Sequence, residues 1–327
     1  MNNTSQIGVL GLGAYVPERV LTNHDLEKMI DTSDEWITTR TGIKERRIAS
    51  EGEASSDLGA KAALKALGDA KVDPAEIDAI VVATLSPDNI FPASACIIQE
   101  KIGAVKAAAF DLSAGCSGFV YALAVAYGLV QTGLEKVLVI GAETISRFVN
   151  WQDRSTCVLF GDGAGAVVLG RVERGGILGF DLGADGSGHS ILNIPVGGSR
   201  EPITPENLAQ NRHYLYMVGS EVFRFAVRTV PRTSRKALKK AGLEVGDVDW
   251  LIPHQANTRI IDAAVNLMGI ESEKVVVNLD KYGNTSAASI PIAWAEAAED
   301  GRIKRGDKLL LVGFGAGLTW ASMVLEY

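Results

Sequence analysis

Residues 62–67 read Ala-Ala-Leu-Lys-Ala-Leu and lead to Ile77-Asp78-Ala79-Ile80. A similar order recurs at residues 236–241, where Lys-Ala-Leu-Lys-Lys-Ala leads to Val248-Asp249-Trp250-Leu251. Each copy joins an Ala- and Lys-rich helical stretch to a short apolar run that is typical of a buried strand. Similarity within one chain is the sign of a repeated structural unit. The sequence therefore predicts two duplicated α/β halves.

The repeat also relates two polar residues that follow the apolar runs. Cys116 lies 38 residues after Asp78, and Asn284 lies 35 residues after Asp249, each in a turn before a helical stretch. Ligands of open α/β sheets bind outside the carboxyl ends of the strands. Two halves packed about a pseudo-twofold axis would therefore bring Cys116 and Asn284 into one cleft.

Apolar runs alternate with longer helical stretches along the whole chain, which favours α/β layering around buried sheets. The pattern predicts strands at 79–84, 136–140, 166–169 and 308–312, with the run at 275–278 as the second-half counterpart of the strand before Cys116. It predicts helices at 55–67, 118–130, 222–241, 259–268 and 290–298.

The composition narrows the class of protein. A chain of 327 residues with 47% hydrophobic residues can bury a large core. The net charge of −7 argues against general nucleic-acid binding, which needs a basic face. No run approaches the ~20 apolar residues of a membrane span, so we expect a cytoplasmic protein. The three cysteines form no CxxC pair and no zinc pattern with the histidines, so we expect thiols and no metal.

Cys116 lies among small residues in Ala-Gly-Cys-Ser-Gly at 114–118, just before a helical pattern. A helix N-terminus favours thiolate over thiol, so the sequence predicts a lowered pKa and a nucleophilic sulfur. The alternative is a small core residue.

His254, in Pro-His-Gln-Ala-Asn at 253–257, follows a strand-like run and can donate a hydrogen bond to an oxyanion or, in its acid form, supply a proton. Asn284 offers a second neutral donor, or is simply a turn residue.

Two other enzyme classes stay open on the residues alone. Gly11-Leu12-Gly13 and Gly161-Asp162-Gly163 suggest a nucleotide-binding oxidoreductase, but neither gives a complete G-x-G-x-x-G at the start of a helix. A cysteine hydrolase is the nearer alternative, since Cys and His suffice for thioester cleavage. A cysteine hydrolase would have no evident use for Asn284 or for the duplicated halves.

Four motifs together resemble the β-ketoacyl-[acyl carrier protein] synthase III family of thiolase-like condensing enzymes. They are Ala-Gly-Cys-Ser-Gly at 114–118, Pro-His-Gln-Ala-Asn at 253–257, Tyr-Gly-Asn-Thr-Ser at 282–286 and Gly-Phe-Gly-Ala-Gly-Leu-Thr-Trp at 313–320. The resemblance implies a duplicated five-layered α/β/α/β/α fold with pseudo-twofold symmetry, its halves spanning 1–172 and 173–327, and a homodimer. Thiolases have a second cysteine in the last motif, and elongating synthases have a histidine where Asn284 stands.

The family's reaction is an acyl transfer followed by a decarboxylative Claisen condensation, the initiating step of type II fatty-acid synthesis. The resemblance implies that Cys116 takes an acyl group, typically acetyl, from coenzyme A. Malonyl-acyl carrier protein then loses carbon dioxide, and its carbanion attacks the thioester while His254 and Asn284 stabilise the negative oxygen. Backbone N–H groups of Cys116 and Ala316 form the second oxyanion site. Acyl-coenzyme A is a substrate, and no cofactor is implied. A polyketide-synthase-like enzyme with a different primer is the alternative.

Further positions follow from the resemblance. Trp36 and Arg40 are four apart on a predicted helix, where an indole can stack on adenine and a guanidinium can meet phosphate. Coenzyme A contacts are implied for Thr32, Trp36, Arg40, Arg154, Gly219 and Asn257. Carrier-protein contacts are implied for Arg224, Gln255 and Arg259, near a basic run on residues 224–240 that can steer an acidic partner. Phe91 is implied to reach across the dimer into the partner's acyl pocket.

Overall fold

Two mixed β-sheets frame the molecule, as seen in a computed structural model that describes residues 6–327. The first sheet contains, in spatial order, β1 (Gln6–Tyr15), β7 (Gly163–Val172), β6 (Lys136–Glu143), β4 (Ala79–Ala83) and β5 (Ala108–Leu112). The second contains β11 (Trp250–Pro253), β12 (Lys308–Gly315), β13 (Thr319–Glu326) and β8 (Gly176–Ala184). Two small ribbons pair β2 (Val20–Thr22) with β3 (Glu45–Arg47), and β9 (Leu192–Asn193) with β10 (Tyr216–Met217).

The helices form three layers around these sheets. They are α1 (Asn23–Glu27), α2 (Asp34–Thr41), α3 (Ser55–Ala70), α4 (Ser94–Ile102), α5 (Gly118–Gln131), α6 (Pro205–Ala209), α7 (Gly219–Ala241), α8 (Thr258–Met268), α9 (Leu279–Tyr282) and α10 (Ser289–Glu299). Helices α3 and α4 cover the outer face of the first sheet, α7 and α8 cover the second, and α5 and α10 lie between the sheets. The five-layered α/β/α/β/α fold predicted from the sequence is confirmed.

Sequence explains which helices are central. Helix α5 reads GFVYALAVAYGLVQ and α10 reads SIPIAWAEAAE, so both are apolar around most of their surface, as a helix between two sheets must be. Strand β4 reads AIVVA and is buried throughout, which fits a parallel strand covered on both faces. Helix α7 instead keeps its basic residues on an exposed outer side.

The two sheets share one topology, as the repeat predicts. In each, two antiparallel strands (β1 and β7, or β8 and β13) lead to a strand that is parallel to the next (β6 and β4, or β12 and β11). The first sheet adds β5. Its counterpart at 275–278 was predicted as a strand, and this prediction is wrong, because Val275 makes only an isolated bridge to Leu251.

The other predicted strands and helices are present, with ends that shift by up to three residues. Strand β7 ends at Val172 and β8 begins at Gly176, close to the predicted division between residues 172 and 173. One apolar cluster nevertheless combines both halves, for example Val139 of the first sheet with Leu311 of the second. The division into 1–172 and 173–327 therefore stays a prediction.

The structure also explains the Gly11-Leu12-Gly13 sequence that suggested a nucleotide fold. Both glycines lie within β1, where α3 packs directly on the strand. A Cβ atom at Gly11 would come within 2.4 Å of the Ala70 nitrogen, and one at Gly13 within 2.4 Å of the Ala66 nitrogen. These glycines permit a close approach of helix and strand, and they form no phosphate-binding turn.

Candidate active site

The turn that carries Cys116 depends on its neighbouring glycines. After β5 the chain passes through Gly115, whose φ of +58° lies in the left-handed region that glycine adopts without strain. A Cβ atom there would also lie 2.7 Å from the Ala316 nitrogen. Cys116 follows, 5% exposed, with Ser117 as the N-cap of α5. The predicted position of the sulfur just before a helix N-terminus is confirmed.

The turn after β12 packs against the same cysteine. A Cβ atom at Gly315 would lie 2.4 Å from the Cys116 nitrogen and 3.0 Å from its Cβ atom, so no larger residue fits there. Ala316 follows and lines a cavity together with Cys116. The second half of the chain thus places backbone directly against the cysteine of the first half.

His254 comes directly after β11 and is 2% exposed. Its Nδ1 lies 2.7 Å from Ser289 Oγ, and the Phe314 ring packs edge-on at 5.3 Å. Burial lowers the pKa of His254 to about 3, so the ring is neutral near neutral pH. Ser289 Oγ also accepts the Gln255 N–H at 3.3 Å. Its own hydrogen is thus free for Nδ1, which favours the tautomer with hydrogen on Nε2.

Asn284 is held from both its backbone and its side chain. Its N–H donates to the Leu159 carbonyl at 2.8 Å, and Gly161 donates to the Asn284 carbonyl at 3.1 Å. Its Oδ1 accepts the Ser286 N–H at 2.9 Å. Because the side-chain oxygen is occupied by a donor, the NH₂ group is left to donate.

One cavity of about 560 Å³ brings the three predicted residues together. Cys116, His254 and Asn284 all line it, with Gly219 and Asn257 further along its wall. A second cavity of about 230 Å³ also contains Cys116 in its wall and is mainly apolar. Its lining includes Leu85, Ile145, Phe148, Phe160, Leu215 and Ala316. Cys116 therefore lines both the larger cavity, called the tunnel below, and a small apolar pocket.

The pKa of Cys116 is opposite to the sequence-based prediction. Burial raises the pKa of the thiol to about 12, and the carboxylate of Glu143 acts in the same direction, while a hydrogen bond from Ser286 opposes them. The predicted lowering of the pKa is therefore wrong for the unliganded protein. Its resting sulfur is a thiol, so acyl transfer requires that a proton leave it.

The predicted coenzyme A residues form a group around Trp36 on α2. The Arg40 guanidinium lies 5.0 Å from the centre of the indole and that of Arg154 lies 4.7 Å from it. Arg154 also donates to the Asp31 carbonyl at 2.9 Å. The hydroxyl oxygen of Thr32 is buried and has no hydrogen-bond partner among residues 6–327. Two cations and an aromatic ring thus stand together, and Arg40 lines the tunnel.

Arg224 and Arg259 line the same tunnel and are exposed. Arg224 pairs with Glu221, and the Arg259 guanidinium lies 5.9 Å from the Phe223 ring. Asn257 is the N-cap of α8, and its Nδ2 donates to the Arg40 carbonyl at 3.0 Å. The tunnel therefore opens between α2, α7 and α8 with basic residues at its rim.

Gln255 does not belong with the exposed residues. It is 1% exposed, and its Nε2 donates to the carbonyls of Pro253 and Val276, while its Oε1 accepts the Asn278 N–H. The predicted contact of Gln255 with a carrier protein is wrong, because no surface partner can reach a side chain that is buried and fully hydrogen-bonded. Gln255 instead ties the end of β11 to the segment at 275–278.

Phe91 lies far out on the surface and is 83% exposed, next to Ile90 at 84%. It lines neither of the two cavities that contain Cys116. The structure therefore places Phe91 away from its own chain's site. The predicted contact of Phe91 with a partner chain stays a prediction.

Sequence reasoning missed three polar residues beside the site, namely Ser286, Ser289 and Glu143. Ser286 lies 3.4 Å from Cys116 Sγ, and Ser289 contacts His254. The only signal for Glu143 was an acidic residue at the end of the apolar run that forms β6. Among residues 6–327 no group of three metal-ligating side chains occurs. In the same range no helix has the length and apolarity to cross a bilayer.

Comparison with known proteins agrees with this geometry. Residues 110–186 match the profile described as 3-oxoacyl-[acyl-carrier-protein] synthase III, and residues 238–327 match the profile of its C-terminal part. The chain is 58% identical over 323 residues to a β-ketoacyl-[acyl-carrier-protein] synthase III of Desulfitobacterium hafniense, with 98% of each chain covered. The chain belongs to the β-ketoacyl-[acyl-carrier-protein] synthase III family.

Solved structures place it in the same family. The synthase III of Aquifex aeolicus is 49% identical with a TM-score of 0.91, covering 98% of this chain and 100% of that one. The priming β-ketosynthase of the R1128 polyketide pathway has the same TM-score at 39% identity, covering 98% and 96%. The synthase III enzymes of Desulfitobacterium hafniense and Aquifex aeolicus are thus more similar to the chain than this polyketide enzyme is, and the polyketide alternative is not favoured. As a family member the protein is a condensing acyltransferase of the initiating step of fatty-acid synthesis.

Proposed function

We propose that this enzyme transfers an acyl group from acyl-coenzyme A to Cys116 and then condenses it with malonyl-acyl carrier protein. The products are 3-oxoacyl-acyl carrier protein, carbon dioxide and coenzyme A. The observation that carries the proposal is the single tunnel that ends at Cys116 and also contains His254 and Asn284. No resident cofactor or metal takes part, since acyl-coenzyme A is a substrate. Free thiols and thioester substrates fit the cytoplasm.

The two oxyanions of the reaction meet different donors. Loss of carbon dioxide places negative charge on the malonyl thioester oxygen, which His254 Nε2 and Asn284 Nδ2 stabilise as neutral donors, each worth about 3 kcal/mol. The tetrahedral oxyanion on the Cys116 thioester meets the backbone N–H groups of Cys116 and Ala316. Neutral donors suit both steps, because an imidazolium would pair with the malonyl carboxylate and hold it back from leaving.

The outer tunnel supplies binding energy away from the reacting atoms. Adenine stacks between Trp36 and the Arg154 guanidinium, the Arg40 guanidinium meets phosphate, and the hydroxyl of Thr32 gains a hydrogen-bond partner. Gly219 and Asn257 flank the pantetheine arm. Arg224 and Arg259 at the rim attract the acidic carrier protein.

The acyl chain occupies the cavity of about 230 Å³ behind Cys116, whose size fits a short primer such as acetyl.

A homodimer completes this pocket, with Phe91 of each chain reaching into its partner, which would cover two exposed apolar side chains. Light scattering should give twice the chain mass. Phe91→Gly should lower selectivity among short, branched and long acyl-coenzyme A primers while Arg19→Gly should not.

Mass spectrometry of the protein after incubation with acetyl-coenzyme A tests the proposal. We expect an adduct of about 42 Da, the mass of a transferred acetyl group, at Cys116. Cys116→Ser should abolish it and lower condensation by about 10⁴-fold or more. Cys157→Ser removes a buried thiol elsewhere and should keep the adduct. Equal labelling of Cys116→Ser, or steady release of acetate with no condensation, would contradict the proposal.

A further inference from the structure

A carboxylate without contact to solvent lies directly behind the cysteine. Glu143 ends β6 and is 0% exposed. Its Oε2 accepts hydrogen bonds from Ser86 Oγ at 2.5 Å, the Leu85 N–H at 3.0 Å, the Ser86 N–H at 3.1 Å and Thr84 Oγ1 at 3.3 Å. These contacts hold the loop after β4 and give Oε2 a structural task.

The second oxygen of Glu143 faces the active site. Its Oε1 lies 3.4 Å from the nitrogen of Ala287, the residue after Ser286, and the Ser286 hydroxyl opposes the rise in the pKa of the same carboxylate. Ser286 Oγ in turn lies 3.4 Å from Cys116 Sγ. The three side chains therefore follow one another as a row in the order thiol, hydroxyl and carboxylate. The hydrogen bonds of Oε2 already hold the loop after β4, so that structural role does not require Glu143 to lie near Ser286.

Ser286 has an unusual backbone conformation. Its φ of +50° lies in the left-handed region, which is uncommon for a residue with a side chain. Its N–H donates to Asn284 Oδ1, so the strain also positions Asn284. Local strain of this kind persists where surrounding contacts hold it and is frequent at functional sites. Here it directs the hydroxyl to the gap between Cys116 and Glu143.

Because Cys116 is buried, its thiol proton needs an acceptor within the protein. The resting thiol must lose its proton when it attacks a thioester, and buried charge is costly unless it is compensated. His254, the other titratable group at the tunnel end, engages Ser289 and not Cys116. Burial raises the pKa of Glu143, while hydrogen bonds from the surrounding donors, such as the Leu85 and Ser86 N–H groups, oppose this rise and stabilise the carboxylate form.

We propose that Ser286 and Glu143 carry the proton of Cys116, a step that rests on the proposed acyl transfer. As Sγ attacks the acyl carbonyl, the thiol proton passes to Ser286 Oγ, whose own proton passes to Glu143. The S–C bond to Cys116 forms, the bond to the coenzyme A sulfur breaks, and the departing thiolate takes one proton from solvent. The acyl-enzyme then holds a neutral Glu143 carboxylic acid.

Condensation reverses the proton movement. The malonyl carboxylate leaves as carbon dioxide, the carbanion attacks the acyl carbonyl, and the bond to Cys116 Sγ breaks. The released thiolate recovers its proton from Glu143 through Ser286, which restores the resting site. Each turnover thus takes up one proton from solvent during acylation and none during condensation. Without Glu143 as acceptor, the thiol proton would pass to the departing coenzyme A, so the proton from solvent would be taken up during condensation and none during acylation.

Proton uptake during acylation alone tests this pathway. The full-length enzyme is mixed with excess acetyl-coenzyme A at neutral pH, in weak buffer with an indicator dye, and without malonyl-acyl carrier protein. Acyl groups on Cys116 are counted by mass spectrometry in the same samples. We expect one proton taken up per acyl group, and the infrared difference spectrum should gain the carbonyl band of a protonated carboxyl group. No uptake in the presence of the adduct would overturn the pathway.

Four variants separate a proton path from a structural role. Glu143→Gln and Ser286→Ala should form the adduct about 100-fold more slowly, the ordinary range for loss of acid–base catalysis, with no proton uptake. Thr84→Val removes another contact of Glu143, and Ser117→Ala removes a buried hydroxyl beside Cys116 that donates to the Ala114 carbonyl. Both controls should keep one proton per acyl group.

The outcomes distinguish the two proposals. An adduct that forms in Glu143→Gln with one proton taken up, or loss of uptake in Thr84→Val as well, would overturn the relay and leave the acyl transfer intact. A complete absence of the adduct from the unmodified enzyme would instead refute the proposed function. Should Glu143→Gln fold poorly, Ser286→Ala gives the same test without disturbing the contacts of Oε2.

Discussion

The two halves of the molecule place a turn at the same point of one topology but put different chemistry there. In the first half the strand before the turn is complete, and the turn presents the thiol of Cys116. In the second half the equivalent strand is reduced to one bridge at Val275, and the turn presents the amide of Asn284. A duplicated scaffold thus supplies two positions in one cavity, of which one carries a thiol and the other an amide.

The reduced strand has a physical substitute. Gln255 supplies hydrogen bonds from its side chain to Val276 and Asn278, where a strand would supply them from its backbone. A buried side chain that satisfies several backbone groups fixes their position as a short strand would. The second half therefore keeps Asn284 in place without a fifth strand.

The largest expected effect comes from removing the donor of the second half while keeping the nucleophile of the first. Asn284→Ala should form the acyl-enzyme at a near-normal rate but lower condensation by about 10²- to 10³-fold, because one donor to the enolate oxygen is lost. Mass spectrometry and release of carbon dioxide measure the two steps separately. Equal loss of both steps would mean that the halves do not divide the reaction.

The next effect is expected on stability, from replacing Gln255, whose side chain stands in for the missing strand. Gln255→Ala leaves buried backbone groups unpaired and should lower the free energy of unfolding by about 1–3 kcal/mol. Denaturant titration measures it. Gln99→Ala offers a control in the first half, since Gln99 is only partly buried and should cost less. Carrier-protein affinity should not change in folded Gln255→Ala; a selective loss of that affinity would reinstate a contact role.

Charge at the tunnel rim is a feature of the second half. Arg224→Glu should lower kcat/KM for malonyl-acyl carrier protein by about 10-fold at low salt and less at high salt, because screening weakens long-range attraction. Lys65→Glu makes the same charge change on α3, the equivalent helix of the first half, and should have little effect. Equal loss in both variants would point to net charge and not to a docking site.

A pH-dependent effect on stability concerns His254. Its pKa is about 3 in the folded protein against an ordinary value of 6.5, so the unfolded chain binds more protons between these values. Stability should therefore fall as pH falls from 6.5 towards 3. His254→Asn should lose less stability over this window, as measured by denaturant titration at several pH values. His24 is present in both proteins, so its contribution to the pH dependence of stability cancels in the comparison. Parallel pH curves would contradict the neutral buried ring.

The sequence predicted most of the elements because apolar periodicity reports burial directly. It predicted that Cys116 and Asn284 meet because they occupy equivalent places in a duplicated frame, and it added His254 because that residue follows a strand-like run. It failed at residues 275–278, where of the three valines only Val276 is buried and a glutamine side chain replaces strand pairing. It failed for Gln255, since adjacency to His254 in the chain gives no information about exposure.

The amino-acid sequence alone determined the duplicated α/β frame, the glycines that allow close backbone contact, and the residue types available for thioester chemistry. These are local properties that a linear pattern can carry. Only the tertiary structure decided the charge state of Cys116 and His254 and the row from Cys116 through Ser286 to Glu143. Those features depend on exclusion of water and on contacts between segments more than 140 residues apart in the chain, which no local pattern encodes.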